Sequence, residues 1–463
     1  MGTFRPTDDS ASVVDLRQVV RVELRRHAVL RRVGWLHPSV WKMQRQAAGL
    51  ARVKSTDDIL KRLTSLLSHA RTNVPYYSNV LAGIRDARLD ELPILTRDIL
   101  QTRTADLLAR MAPDRRLPGR AIRIETTSGS SGAPAHHFQT AHDATIDAGL
   151  LLRLYRELQL PIAGQFFNLG LHRTGQPLLE TRIVPGAYTY WNLRSAQNGG
   201  AKVEYAVALA SVRPTVIYGA ASRLRELAEY VLNAHLAVRP LAVLSSYEQL
   251  SAATRELLEQ TFRCPIRSVY GSTELGLCAW ECEQGALHVQ ADQVIPEVVD
   301  DLGAPVPRGT PGRLIFTSLK SWLMPLVRYD TGDIAAIRRD GCACGSTFPV
   351  LSPFEGRRAA YLYTGSGRAA SPYKIMSIVD RTGVARYQLV QREKGSAELI
   401  LDCSDDAVDL RECEAEISAF LGEEFRLYKH AGAPFIYTAT GKLNPVLSFV
   451  DTQDALSDAK ETQ

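Results

Sequence analysis

The stretch TVIYGAASRLRELAEYVLNAHLAVRPLAVLSSYEQLSAATRELLEQTFRCPIRSVY, residues 215–270, decides the fold class. Short apolar runs at Thr215–Tyr218, Leu241–Ser245 and Ile266–Tyr270 read as buried strands. Between them, Ala221–Leu232 and Leu250–Phe262 carry apolar residues at helical spacing. A βαβαβ series of this kind builds a parallel sheet covered by helices, so the expected class is α/β. In such sheets ligands lie beyond the carboxyl ends of the strands. Ser246–Glu248 and Gly271–Glu274 follow two of those ends, which places two distant segments at one crevice.

Upstream, Thr126-Thr127-Ser128-Gly129-Ser130-Ser131-Gly132-Ala133-Pro134 has the composition of a loop that wraps phosphate oxygens. Gly129 and Gly132 can take positive φ and let the backbone approach a ligand. Successive N–H groups form a concave anion nest, and the hydroxyls of Thr127, Ser128, Ser130 and Ser131 add donors. No Lys-Ser or Lys-Thr follows the second glycine, and Ile122–Ile124 and Ala135–Gln139 both read as strands, so this is not a Walker loop. Taken alone, a Ser/Gly surface hairpin reads the same way.

Two further blocks follow in order: Tyr270-Gly271-Ser272-Thr273-Glu274-Leu275-Gly276 and Arg328-Tyr329-Asp330-Thr331-Gly332-Asp333. With them stand Ala70-Arg71-Thr72-Asn73-Val74-Pro75-Tyr76-Tyr77, Leu92-Pro93-Ile94-Leu95-Thr96-Arg97 and a late Thr440-Gly441-Lys442. On this ordered set, over residues 65 to 445, the chain resembles the adenylate-forming superfamily. Within it the resemblance is to the phenylacetate–CoA ligase-like branch, which includes coenzyme F390 synthetase and capsule-biosynthesis homologues. It implies a large N-terminal adenylation domain, residues 1–355, and a small mobile α+β lid, residues 356–463. Residues 1–60 would be a helical extension, with Val13, Leu16, Val20 and Leu24 at helical spacing beside a solvated arginine face.

The implied reaction is attack of a carboxylate on the α-phosphorus of ATP, followed by acyl transfer to a thiol, with CoA the expected acceptor. Like charges meet in the first step, so catalysis there is neutralisation and alignment. The resemblance gives Glu274 to Mg²⁺ and Thr273 to the α-phosphate. Tyr270 is placed against adenine or in the core, with Gly271 and Ser272 beside it. Asp333, after Gly332 at the end of a strand expected over Leu326–Tyr329, is given to the ribose hydroxyls, and Arg357, in the glycine-containing turn Glu355-Gly356-Arg357, to the ribose or phosphate. Lys442, on the lid, would bridge acid and phosphate. The hinge departs from the family pattern, since Gly356-Arg357-Arg358-Ala359-Ala360 has alanines where paired aspartates usually stand. An amine or hydroxyl acceptor therefore stays open, as does a nucleotide-binding homologue without turnover. The run Phe166–His172 falls where the family's acid lies, and its aromatic start suits an aryl or other apolar acid. His136, His137 and His172 read as structural, with a base role open.

Cys282 and His288 flank one short turn, and Cys342-Ala343-Cys344-Gly345 occupies another. A Cys₃His set favours tetrahedral Zn²⁺, and four protein ligands make such an ion structural. The branch has zinc at matching positions; free thiols in unrelated loops are the alternative. Cys264, Cys278, Cys403 and Cys413 show no partner spacing and read as packed thiols.

The 463 residues carry a net charge of +5, a mild balance that suits anionic small molecules and does not argue for nucleic acid. No apolar run approaches the ~18 residues of a membrane span, and the N-terminus lacks a signal core, so the expected location is the cytoplasm. Seven scattered cysteines argue for thiols and metal rather than disulfides. Oligomeric state is left open.

Overall fold

The computed structural model describes residues 56–82, 88–110, 122–126, 135–161, 164–171, 179–184, 188–195, 209, 212–352, 356–357, 361–370, 372–382, 384, 387–401, 410–436 and 444–450. The basic N-terminal stripe, the Ser/Gly loop from Thr127 to Gly132, and Lys442 lie outside the described residues, as do His172 and Cys403. The chain divides into two compact units. The second comprises residues 251–254, 332–335 and 353–463, and the first comprises the remainder.

The first unit opens with helices α1 (Thr56–Asn73), α2 (Pro75–Val80) and α3 (Arg97–Thr102). Leu63, Leu66 and Ala70 form the buried stripe of α1. Pro75 ends that helix and starts the next, where its missing N–H costs nothing. Strands β1 (Arg123–Thr126) and β2 (His136–Gln139) pair antiparallel, with Thr126 opposite His136. Helix α4 (Ala141–Glu157) follows, started by a reciprocal cap in which the Thr140 hydroxyl accepts from the Asp143 N–H and Asp143 Oδ2 accepts from the Thr140 N–H.

Next come β3 (Gly164–Leu171), β4 (Leu179–Val184), β5 (Tyr188–Ser195), β6 (Val216–Ala220), α5 (Ala221–Asn233), β7 (Ala242–Ser246), α6 (Ala252–Phe262) and β8 (Ile266–Ser272). They continue into β9 (Gly276–Glu281), β10 (Leu287–Val289), β11 (Val294–Val299), β12 (Gly312–Ser318), β13 (Tyr329–Ala335) and β14 (Val350–Leu351). Nine strands form one sheet in the order β14-β10-β9-β8-β7-β6-β3-β5-β4. The run β5-β3-β6-β7-β8 is parallel, and the flanks are antiparallel. This is the α/β architecture expected from residues 215–270.

Alternation along β3 sends Phe166 and Phe167 to opposite faces. Phe167 joins the core made with Leu224, Leu227 and Val231 of α5 and Leu258 and Phe262 of α6. Phe166 joins the core beneath α4, with Ile146, Leu150, Leu154, Val269 and Trp280. Burial of each such large apolar side chain contributes about 1.5–3 kcal/mol.

Two local expectations need correction. Leu326–Tyr329 is not a strand; β13 begins at Tyr329, and Asp333 lies inside it rather than beyond its end. The cause is Arg328, which takes φ +49 and is buried. Its guanidinium donates to the carbonyls of Asp90 and Gly303 and pairs with Glu297 at 3.1 Å, so tertiary contacts override the apolar run. Gly356 and Arg357, expected in a turn, instead form β15 (Gly356–Arg357), antiparallel to the end of β13.

The second unit continues with β16 (Leu362–Tyr363), β17 (Ala369–Ala370), α7 (Pro372–Asp380), β18 (Tyr387–Gln391), β19 (Ser396–Leu401), α8 (Leu410–Leu421), β20 (Arg426–Ala431) and β21 (Val446–Ser448). A sheet of order β20-β19-β18-β21 buries Leu389, Leu399 and Val446 against Ile375, Ile378, Ile417 and Leu421 of the two helices.

Candidate active site and metal centre

The turn between β8 and β9 carries the second glycine-containing block. A bulge at Tyr270/Gly271 brings Gly271 against the carbonyl of Gly276, and any Cβ there would collide with that oxygen. The Ser272 hydroxyl accepts from the Leu275 N–H at 3.1 Å and closes the turn. Thr273 is left exposed at the tip, while Glu274 is buried. Gly271 and Ser272, expected at the nucleotide, thus also shape the turn that presents their neighbours.

Burying a carboxylate requires partners. The Tyr329 hydroxyl donates to Glu274 Oε1 at 3.0 Å, and Arg97 Nη1 stands 3.8 Å from the same oxygen. Tyr329 belongs to the third glycine-containing block and Arg97 to the N-terminal signature, so three sequence blocks meet at one carboxylate. Burial, reinforced by the Glu274 charge, raises the Tyr329 hydroxyl above the ordinary tyrosine range and keeps it a donor. Main-chain bonds fix this meeting: the Leu95 N–H donates to the Arg328 carbonyl and the Asp330 N–H to that of Leu95. Sequence reading left Arg97 and Tyr329 without roles, although both stood in the quoted motifs.

The other expected contacts separate. Ser246 is buried at the end of β7, and its side chain bonds the Tyr218 hydroxyl. Glu248 Oε2 accepts from the Ser222 N–H at 2.9 Å, capping α5 from another segment, and this bond gives it a structural use at the crevice. Tyr270 packs its ring near Phe316, centroids 6.1 Å apart. From the core beneath α4 outward, Phe166, Tyr218 and Tyr247 make an aromatic series with centroid spacings of 5.6 and 5.4 Å. Tyr247 holds φ +68, an uncommon conformation for a bulky residue. In the second unit, Asp333 and Arg357 are register partners on β13 and β15.

At the opposite end of β9 lies the cysteine–histidine group. The Gly285 N–H donates to the Cys282 carbonyl, and the Gly345 N–H to that of Cys342; both glycines have positive φ. These two turns aim Cys282, Cys342 and Cys344 at His288 of β10. All four donor atoms lie within 4.8 Å of one another. Bond lengths of about 2.3 Å for Zn–S and 2.0–2.1 Å for Zn–N imply tetrahedral edges of about 3.8 Å and 3.5 Å. The separations are 3.7 Å for Cys282 Sγ to Cys342 Sγ and 3.3 Å for Cys344 Sγ to His288 Nε2, so the donor set fits zinc. His288 Nδ1 sits 3.1 Å from the Phe348 carbonyl, an outer partner that would hold the ring with Nε2 toward the ion. The Cys344 backbone N–H, followed by His288, holds the Cys342 thiol at about 6, which favours thiolate. By contrast, burial pushes Cys264 and Cys413 up to about 11 and Cys278 up to about 12, as befits packed thiols.

No model of a known protein family matches the chain. Over 377 residues it is 28% identical to phenylacetate-coenzyme A ligase of Thermus thermophilus, covering 74% of this chain and 80% of that one. Protein CapK of Staphylococcus aureus is 21% identical over 314 residues, 63% and 66% of the two chains. The structure superposes on 2-hydroxyisobutyryl-CoA ligase in the postadenylation state with R3-HIB-AMP at a TM-score of 0.69 and 18% identity, covering 88% and 92% of the chains. In sequence the chain is thus similar to phenylacetate-coenzyme A ligase, and in fold to an adenylate-forming acyl-CoA ligase. Its enzyme class is that of an AMP-forming ligase. Among the described residues, no helix is long and apolar enough to cross a membrane.

Proposed function

We propose that this chain activates an apolar, aryl-type carboxylic acid with ATP and transfers the acyl group to the thiol of CoA. The observation that carries the reading is the Glu274–Tyr329 hydrogen bond, which joins two motifs 55 residues apart at a buried carboxylate beside an exposed Thr273. A carboxylate oxygen of the acid attacks the α-phosphorus, its new P–O bond forming as the bond to pyrophosphate breaks. The sulfur of CoA then attacks the acyl carbon, AMP leaves, and the thiol proton passes to solvent.

Each residue has a stated task. The Thr273 hydroxyl bonds the α-phosphate, and the hydroxyls and N–H groups between Thr127 and Gly132 take the outer phosphates. Glu274, its Oε1 engaged by Tyr329, would hold Mg²⁺. A hard dication there supplies charge neutralisation at the phosphate oxygens. Asp333 grips the ribose hydroxyls with Arg357 beside it, Tyr270 lies along adenine, and Lys442 bridges acid and α-phosphate. Phe166, Tyr218 and Tyr247 line the apolar acid pocket. Cys282, His288, Cys342 and Cys344 would hold a structural zinc and so tie together the two turns that carry the cysteines.

Acid-dependent exchange of labelled pyrophosphate into ATP tests the first step, and thioester formation with CoA tests the second. Lys442→Ala should reduce exchange by about 10²- to 10³-fold with ATP affinity retained. Equal loss of both would remove the bridging role. Hydroxamate or ester formation without CoA would move the assignment to an amine or hydroxyl acceptor. Tight ATP binding with no exchange for any acid would mark a non-catalytic homologue.

A further inference from the structure

Behind Glu274 lies a second charged group, all within the first unit, to which neither motif nor resemblance gives a role. Lys320, in the segment after β12, has a side chain only 4% exposed and pairs with Asp147 of α4, whose side chain is 27% exposed. Both press on Gly276, two residues past Glu274. A Cβ there would lie 2.5 Å from Asp147 Oδ1 and 2.7 Å from Lys320 Nζ. The buried Cys278 thiol feels Lys320, Asp147 and Glu274 together. His137 of β2 completes the group. It is 1% exposed, and among the described residues no hydrogen bond reaches either ring nitrogen. The Met324 backbone lies alongside without hydrogen-bonding geometry, and burial with the Lys320 charge keeps the ring neutral, its pKa lowered to about 4.

Two further facts fix the location. Asp147 follows Ile146 on α4, and that helix covers the sheet face bearing Phe166, Tyr218 and Leu277. The charged pair therefore shares the α4-to-sheet interface with the aromatic wall. Desolvating an ion pair costs several kcal/mol per ion, and apolar replacements of equal volume are often neutral or stabilising. Packing stability is thus a poor reason for charges here, and an unsatisfied neutral imidazole beside them is a second cost. A ligand group that satisfies all three side chains accounts for both.

The chemistry of that group follows from the pair. A carboxylate would face Asp147, and an ammonium would face Lys320. A hydroxyl donates once and accepts twice, so it can donate to Asp147 while accepting from Lys320 or the imidazole N–H. Resting on the carboxylate-ligase reading above, we propose that Asp147, Lys320 and His137 form the distal wall of the acid pocket and select acids bearing a hydroxyl group.

The test is pyrophosphate exchange with matched acids that differ by one hydroxyl: phenylacetate against its 3- and 4-hydroxy forms, benzoate against the hydroxybenzoates, and butyrate against the hydroxybutyrates. The wild type should favour at least one hydroxylated partner by about 10- to 100-fold in kcat/KM, the size of one charge-assisted hydrogen bond. Asp147→Leu with Lys320→Met removes both charges without stranding either, and the ratio should fall toward one. A wild type that exchanges with deoxy acids at least as well as with every hydroxylated partner overturns this proposal and leaves the ligase reading standing; that arm needs no variant. A double variant that slows both members of a favoured pair by the same factor also overturns it, by showing a structural role alone. Absence of exchange with every acid overturns the ligase reading and this proposal together.

Discussion

The two ends of β9 solve the same electrostatic problem differently. At its start, Glu274 is buried and its charge is answered by groups the chain itself supplies, the Tyr329 hydroxyl and the Arg97 guanidinium. At its far end, three thiols and an imidazole face one another within 4.8 Å. The first end is organised by groups of the chain alone; the second gathers four donors that could hold a cation. Six residues of strand separate them, about 20 Å at 3.3 Å per residue, so the same strand carries a buried carboxylate at one end and a candidate metal centre at the other.

The contrast can be broken at either end. Glu274→Gln should lower pyrophosphate exchange by about 10²- to 10³-fold and weaken its dependence on Mg²⁺ while zinc content stays unchanged. An unchanged magnesium titration would remove the ligand role. Cys342→Ser with Cys344→Ser should take zinc from about one per chain to none, read by metal analysis, and lower the melting temperature of the first unit. A wild type that is metal-free and stable would dissolve the contrast. Tyr329→Phe sharpens it: losing one hydrogen bond to a buried charge should slow exchange by about 10-fold, with zinc retained. An unaffected rate would mean that Arg97 alone positions the carboxylate.

The smallest effect concerns protons. His137 titrates at 6.5 in an unfolded chain and about 4 in the folded one. Between those values the unfolded chain takes up a proton that the folded one refuses, so stability falls as pH drops from 6.5 toward 4. His137→Leu should flatten that limb by at most about 1.4 kcal/mol per pH unit. Urea melts at several pH values measure it, and parallel curves for the two proteins would refute the assignment.

What the sequence revealed depended on range. The strand and helix alternation over residues 215–270 was legible because apolar periodicity is local. Leu326–Tyr329 misled because an apolar run says nothing of a buried Arg328 whose guanidinium reaches the Asp90 carbonyl, 238 residues away in sequence. The cysteine–histidine group could be proposed from sequence, since few residue types ligate zinc and Gly285 and Gly345 mark its turns. Arg97 and Tyr329 at Glu274, and Asp147 with Lys320, left no local signal; each pairing exists only once α3, α4, β9 and β13 are assembled. Glu248 shows the converse, where a position at the right strand end also serves as a remote helix cap.

One amide in the second unit bears on the lysine motif. Gln388, fully buried on β18, donates to the carbonyls of both Ile436 and Asn444, and its own oxygen accepts from the Ile436 N–H. Those residues are the last and first described on either side of Thr440-Gly441-Lys442. One buried amide thus holds the main chain on both sides of the lysine motif, so a change at Gln388 would loosen both attachment points at once.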